Sequence, residues 1–178
     1  MRILGIDPGF GRTGYGIIDV IGNRHVAVLY GCIETKPKSQ TSVRLKEIYV
    51  SIADMIAQYQ PQVVAIEELF FHRNVTTAIA AAEARGVAVL AAEMAGVEQA
   101  EYTPLQVKQA VVGFGRADKQ QVQQMVKTLL GLREIPKPDD AADALAIALA
   151  HAQAQPYEAR VRASIAAISR EPRRKPPL

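Results

Sequence analysis

Cysteine is almost missing: Cys32 is the single thiol in 178 residues. Disulfide frameworks and cysteine-ligated zinc sites are thereby excluded, and a cytoplasmic chain is the natural expectation. Cys32 falls inside a strand pattern and reads as a small buried hydrophobe. The three histidines, His25, His72 and His151, show no metal-ligand spacing, so each reads as a surface or packing residue. No apolar run is long enough to span a bilayer. Met1 and Arg2 lead straight into a strand pattern, which leaves no space for a signal peptide. Bulk positive charge is lacking where it would attract a partner. The net charge is +3, but beyond residue 157 six basic residues (Arg160, Arg162, Arg170, Arg173, Arg174 and Lys175) face two acids. That segment carries +4 and residues 1–157 carry −1, so overall charge says little about what the folded body binds.

What is present is a large apolar content, 49%, which excludes global disorder and suits one domain with a core of its own. The chain is organised around ILGIDPGFGRTG. Ile3 to Ile6 form an unbroken apolar run, as a strand covered on both faces does. Asp7 follows at once, and Pro8 and Gly9 end the strand with turn chemistry. A carboxylate at the end of a buried strand is costly unless a cation or several donors meet it. The plainer alternative is a turn Asp bonded to its own backbone.

Tyr15 to Val20 and Val26 to Glu34 read as two further strands, joined by a tight turn at Gly22 and Asn23. Three strands with short connections predict an antiparallel meander. Thr41 or Ser42 would cap a helix with Leu45, Ile48, Ile52, Met55 and Ile56 at helical spacing, ended by Pro61. Val63 to Ile66 is a second buried-type strand that also ends in acid, at Glu67. An alanine-rich helix is expected from about Val75 to Ala95, with Gly86 as a weak point or a close-packing position. A short strand near Gln99 to Tyr102 precedes a helix opened by Pro104. Asp118 would cap the next helix, and Gly131 would stop it. Asp139 or Asp140 opens the last, DDAADALAIALAHA. The order β-β-β-α-β-α-β-α-α-α predicts an α/β fold with a mixed five-stranded sheet flanked by helices. Residues 1–157 read as the folded domain and 158–178 as a basic, proline-rich flexible tail with a frayed helix near Ile165.

Gly9, Gly11 and Gly14 fit G-x-G-x-x-G, with Glu34 twenty residues further on. A dinucleotide fingerprint must open a helix, however, and Tyr15, Ile17 and Ile18 continue as a strand. That reading fails on context.

Asp140 and Asp143 are one helical turn apart and share a face. Acids in a first turn also suit the helix dipole, which accounts for Asp140 alone but less well for Asp143, a turn deeper beside core positions. Pairing strand 3–7 with strand 63–67 would set Asp7 beside Glu67, with the last helix bringing Asp140 and Asp143 over them. Unit charges 4 Å apart repel by roughly 4 kcal/mol at an effective dielectric near 20. Such a cluster therefore shares protons or holds divalent cations. Oxygen ligands without His or Cys select Mg²⁺ or Mn²⁺, and a pair of ions suits phosphodiester hydrolysis.

ILGIDPG, AIEELFF, TPLQVKQAVVG, GRADKQQVQQMVKTLLGL and DDAADALAIALAH, in this order and spacing to about His151, resemble the RuvC family of bacterial Holliday-junction resolvases. The resemblance implies a ribonuclease H-like fold, a homodimer, and Mg²⁺-dependent symmetric incision of four-way DNA junctions in recombination and repair. Two Mg²⁺ per site are expected, with Mn²⁺ able to substitute. Asp7, Glu67, Asp140 and Asp143 match the family's metal-binding catalytic acids. Lys108 and Lys119 match basic residues near the active site; otherwise each reads as a solvated helix lysine. Phe70 matches an aromatic that meets junction bases, and a core position is the alternative. The resemblance further implies the branch-migration complex RuvA–RuvB as partner and a nucleoid-associated bacterial protein. Two other functions are compatible with parts of the pattern. An actin-like or sugar-kinase ATPase shares the element order but requires a second copy of the unit, and no internal repeat is present. A catalytically silent junction-binding module would not need the four acids.

Overall fold

The computed structural model describes residues 1–69 and 75–170, with side chains described for 1–69 and 78–154. Strands β1 (Arg2–Asp7), β2 (Arg12–Ile21) and β3 (Arg24–Glu34) form the expected meander. Helix α1 (Thr41–Tyr59), β4 (Val63–Glu67), α2 (Val75–Met94) and β5 (Glu98–Tyr102) follow, then α3 (Pro104–Val112), α4 (Lys119–Leu129) and α5 (Asp139–Arg170). The five strands lie in the order β3-β2-β1-β4-β5. β1 runs antiparallel to β2 and parallel to β4, and β4 runs parallel to β5.

Side-chain alternation along β1 divides the molecule into two layers. Leu4 and Ile6, with Ile17, Val64 and Ile66, pack against Ile48, Ile52 and Ile56 of α1 and Ala84, Ala88 and Ala91 of α2. Ile3, with Ile18, Ala65 and Tyr102, packs on the other face against Val107 and Val111 of α3, Val122 and Val126 of α4, and Leu145 to Ala150 of α5. Asp7 follows the parity of Ile3 and Gly5, so it belongs to the α5 layer. The same reasoning assigns Glu67 there through Ala65. The helix above is unusually close. A Cβ on Gly5 would overlap the carbonyl oxygen of Ala144, and one on Gly14 the carbonyl oxygen of Asp140. Glycine at these positions lets α5 rest its backbone directly on the sheet.

Helix ends follow local chemistry with one exception. Thr103 and Asp118 each form a capping box, with Gln106 and Gln121, and Pro104 opens α3. α1 instead starts behind Gln40 with no side-chain cap bond, so neither Thr41 nor Ser42 caps it. Thr41 is already the first helical residue. Its far end turns at Gln60, in the left-handed region at φ 50°, just before Pro61. α5 continues to Arg170, through the stretch near Ile165 where the sequence also allows a helix. A Cβ at Gly86 would meet nothing within 4 Å, so contacts within the chain do not account for that glycine.

Candidate active site

The rim at the carboxyl ends of β1, β4 and β5 collects the acids. Asp7 pairs with Gly14 across β1–β2, and Glu67 pairs with Tyr102 across β4–β5. The β1–β4 register runs Ile3–Val63 to Ile6–Ile66, so Asp7 and Glu67 are the next residues on neighbouring strands. From above, α5 brings down Asp143. A cleft of about 230 Å³ is lined by Asp7, Glu67 and Asp143 together with Lys108 and Lys119. Val107, Val122 and Ala146 make its apolar wall.

Asp140 does not line this cleft. Its backbone is pressed on Gly14, and its carboxylate faces Arg12 at the rim, 3.7 Å away. The four acids are thus neighbours, three around the cleft and one beside it. Phe70 lies outside the described residues.

Electrostatics show the strain of the arrangement. Burial, then the charges of Asp143 and Asp140, push the Asp7 carboxyl up to about 7. Burial, then Asp7 and Asp143, push Glu67 up to about 7 as well. Both are effects of desolvated like charge. Asp143 is also raised, by burial, against the pull of Lys119. Lys119 lies 3.0 Å from Asp143 and 3.3 Å from Asp139. Partial burial disfavours its charge, yet the two carboxylates hold its pKa above the ordinary lysine value. Asp139 is correspondingly lowered by its bond to Lys119. Lys108, which also lines the cleft, lowers the proton affinity of Glu67.

Among the described residues, no three His, Cys, Asp or Glu side chains stand close enough to chelate an ion as they are. Lys119 and Arg12 hold two of the four acids instead. The donor set still fits a hard divalent cation: it is all oxygen, partly dehydrated, and gathers more negative charge than Lys108 and Lys119 balance. Asp143 would exchange its lysine for the ion.

Sequence reasoning passed over Arg12 and Asp139. Arg12 sits inside the quoted hairpin, and its signal is its place in the β2–β3 register opposite Glu34. Asp139 reads from the sequence only as a helix opener, and its bond to Lys119 depends on how α4 and α5 meet. The glycine hairpin leads into β2, so it does not open a helix as a dinucleotide fingerprint requires. Cys32 is only half-buried; burial first, then Asp140 and Glu34, push its thiol up to about 11, so it is a poor nucleophile.

A mixed 3-2-1-4-5 sheet, with acids ending two central strands and more acids on a helix laid across them, is a ribonuclease H-like fold with a nuclease-type carboxylate site. The family model described as "Crossover junction endodeoxyribonuclease RuvC" matches residues 3–151. A crossover junction endodeoxyribonuclease RuvC of Desulforamulus reducens is 58% identical over 153 residues, covering 86% of this chain and 94% of that protein. One from Alkaliphilus metalliredigens is 58% identical over 158 residues, covering 89% and 96%. The structure of Thermus thermophilus RuvC in complex with Holliday junction substrate superposes with a TM-score of 0.85 at 37% identity, over 89% of this chain and 96% of that one. The chain belongs to the RuvC family, the crossover junction endodeoxyribonucleases.

Proposed function

We propose that this cleft resolves four-way DNA junctions by symmetric, cation-dependent phosphodiester hydrolysis during recombination and repair. The observation that carries the reading is the meeting of Asp7 and Glu67, from adjacent strand ends, with Asp143 of α5 in a cleft also walled by Lys108 and Lys119. Asp7, Glu67, Asp140 and Asp143 would hold two Mg²⁺ ions, and Mn²⁺ would substitute. When bound, the ions supply water activation and neutralise charge at the reacting phosphate. The protein's own groups position the strand. Lys108 and Lys119 take the phosphate oxygens and oppose the negative charge that builds as the bond breaks. The apolar wall of Val107, Val122 and Ala146 limits water on that side. Phe70 is proposed to stack on junction bases.

A four-way junction is close to twofold symmetric, so a homodimer would present two sites to paired strands. In α2, Ile79, Leu90 and Met94 are exposed, and with Gly86 they fall on one side of the helix. This apolar stripe with a glycine at its middle suits close helix packing with a second copy. A branch-migration complex of the RuvA–RuvB kind would deliver the junction. The place of action would be the bacterial cytoplasm, at the nucleoid. Among the described residues no helix is long and apolar enough to cross a membrane. Residues 1–157 would form the nuclease domain, with 158–178 as a basic extension.

The test offers a four-way junction and a linear duplex of matching sequence with Mg²⁺ or with EDTA. Paired nicks confined to the junction and to Mg²⁺ are expected. Asp7→Asn should abolish cleavage and leave junction binding intact; undiminished cleavage would overturn the assignment.

A further inference from the structure

We propose that Arg12 is a third phosphate-gripping residue, on the flank of the acids opposite Lys108. The idea rests on the junction-cleaving reading above and adds a residue to it.

The placement comes from the register. Across the sheet rim, Glu34 of β3 pairs with Arg12 of β2, Gly14 of β2 pairs with Asp7 of β1, and Glu67 of β4 pairs with Tyr102 of β5. Arg12 shares the parity of Gly14, so both project toward α5. Lys108 acts on Glu67, from the β4 side. Arg12 stands on the β2–β3 side, its NH1 3.7 Å from Asp140 and its NH2 3.2 Å from Glu34. β2 and β4 are two strand spacings apart, roughly 10 Å. A DNA strand with its reacting phosphate over Asp7 would therefore have a neighbouring phosphate within reach of the guanidinium.

The backbone that carries Arg12 is firmly held. Thr13 Oγ1 donates to the Gly9 carbonyl at 2.7 Å, and Thr35 Oγ1 donates to the Phe10 carbonyl at 2.7 Å. Arg44 lies over the Phe10 ring at 3.8 Å and donates through Nε to Thr35 Oγ1 at 2.8 Å. The backbone N–H of Thr35 donates to Gly11. The side chain beyond this anchored base is free to exchange partners. Arg12 and Glu34 are 57% and 63% exposed, and an ion pair that wet is worth little. The contact with Asp140 is long, so a DNA phosphate entering the site takes the guanidinium from it with or without a cation. A planar, permanently charged fork is then left at the mouth of the site, which is the geometry that grips phosphate.

The opposing possibility is that Arg12 serves only as the counter-ion of Asp140. The two are separated by measuring junction affinity in EDTA, where cleavage cannot occur, across a series of KCl concentrations, for the full chain and for Arg12→Gln. The expected result is a roughly five- to tenfold loss of affinity and a salt slope shallower by about 1 for each Arg12 engaged. Thermal stability should change little, because the pair with Glu34 is exposed and the contact with Asp140 is long. Glu34→Gln should bind the junction as tightly as the parent or more so. Parent-like affinity and slope in Arg12→Gln, or an effect confined to Mn²⁺ affinity measured without DNA, would overturn the proposal. Failure of the unsubstituted chain to bind a junction would instead overturn the reading of the site itself, and this inference with it.

Discussion

Lys119 reaches from the first turn of α4 to Asp143 on α5, Nζ to Oδ2 3.0 Å, at the mouth of the cleft that holds Asp7 and Glu67. In the metal-free protein this lysine does part of the neutralising work that a divalent cation would do. Lys119→Gln should therefore bind Mn²⁺ roughly five- to tenfold more tightly, since one unit charge near 4 Å is worth about 1 kcal/mol even in water. Cleavage should fall all the same, because the phosphate contact is lost. Calorimetric titration with Mn²⁺ alone, beside junction cleavage rates, checks both halves.

The raised carboxyls of Asp7 and Glu67 make the metal-free fold sensitive to pH. Each is pushed to about 7, so between about pH 4 and 7 the folded protein holds protons that the unfolded chain has released. Stability must then fall as pH rises through that window, by a few kcal/mol for the coupled pair. His25 is lowered by burial and acts in the opposite sense, so the comparison is with Asp7→Asn at each pH. In EDTA, the melting temperature of the parent should drop from pH 5 to pH 8. The drop should be smaller in Asp7→Asn, and Mg²⁺ should reverse it at pH 8 in the parent.

Gly14 admits the Asp140 carbonyl where any Cβ would overlap it. Gly14→Ala should lift the first turn of α5 and cost about 3 kcal/mol. Mn²⁺ affinity should be lost beyond what the fall in stability explains, because the helix acids move while the strand acids stay. Urea unfolding combined with Mn²⁺ titration well below the midpoint distinguishes the two effects.

Leu90 is 51% exposed and Met94 70% exposed on α2, on the side of the helix proposed to meet a second copy. Leu90→Glu should shift the protein from dimer to monomer in sedimentation analysis at micromolar concentration. Its junction products should change from paired to single nicks.

Much of this organisation is legible in the sequence. The apolar runs ending in Asp7 and Glu67 give both the strands and the acids, because a central parallel strand is buried on both faces and only its end meets solvent. The helix start at Pro104 and the cap at Asp118 are local chemistry and are readable as such. The N-terminus of α1 is not, since Thr41 and Ser42 are equally good caps on paper and the chain enters the helix one residue earlier. Lys119 is visible as a lysine, but its bond to Asp143 depends on how α4 and α5 cross. The separation of Asp140 from the cleft likewise depends on how closely α5 settles, which the glycines allow but do not announce. The surroundings of Arg12 are illegible for a related reason: its neighbours Glu34 and Asp140 are 22 and 128 residues away.

Alternation along β1 carries one more implication. Leu4 and Ile6 serve the α1–α2 layer, while Gly5 and Asp7 serve α5. Losing a single residue between Ile3 and Ile6 would exchange those assignments at a stroke. It would bury the aspartate among the aliphatics of α1 and α2 and jam a branched side chain against the carbonyl of Ala144. Such a deletion offers the chain no half-working compromise, because the spacing that completes the core is the same spacing that aims the carboxylate.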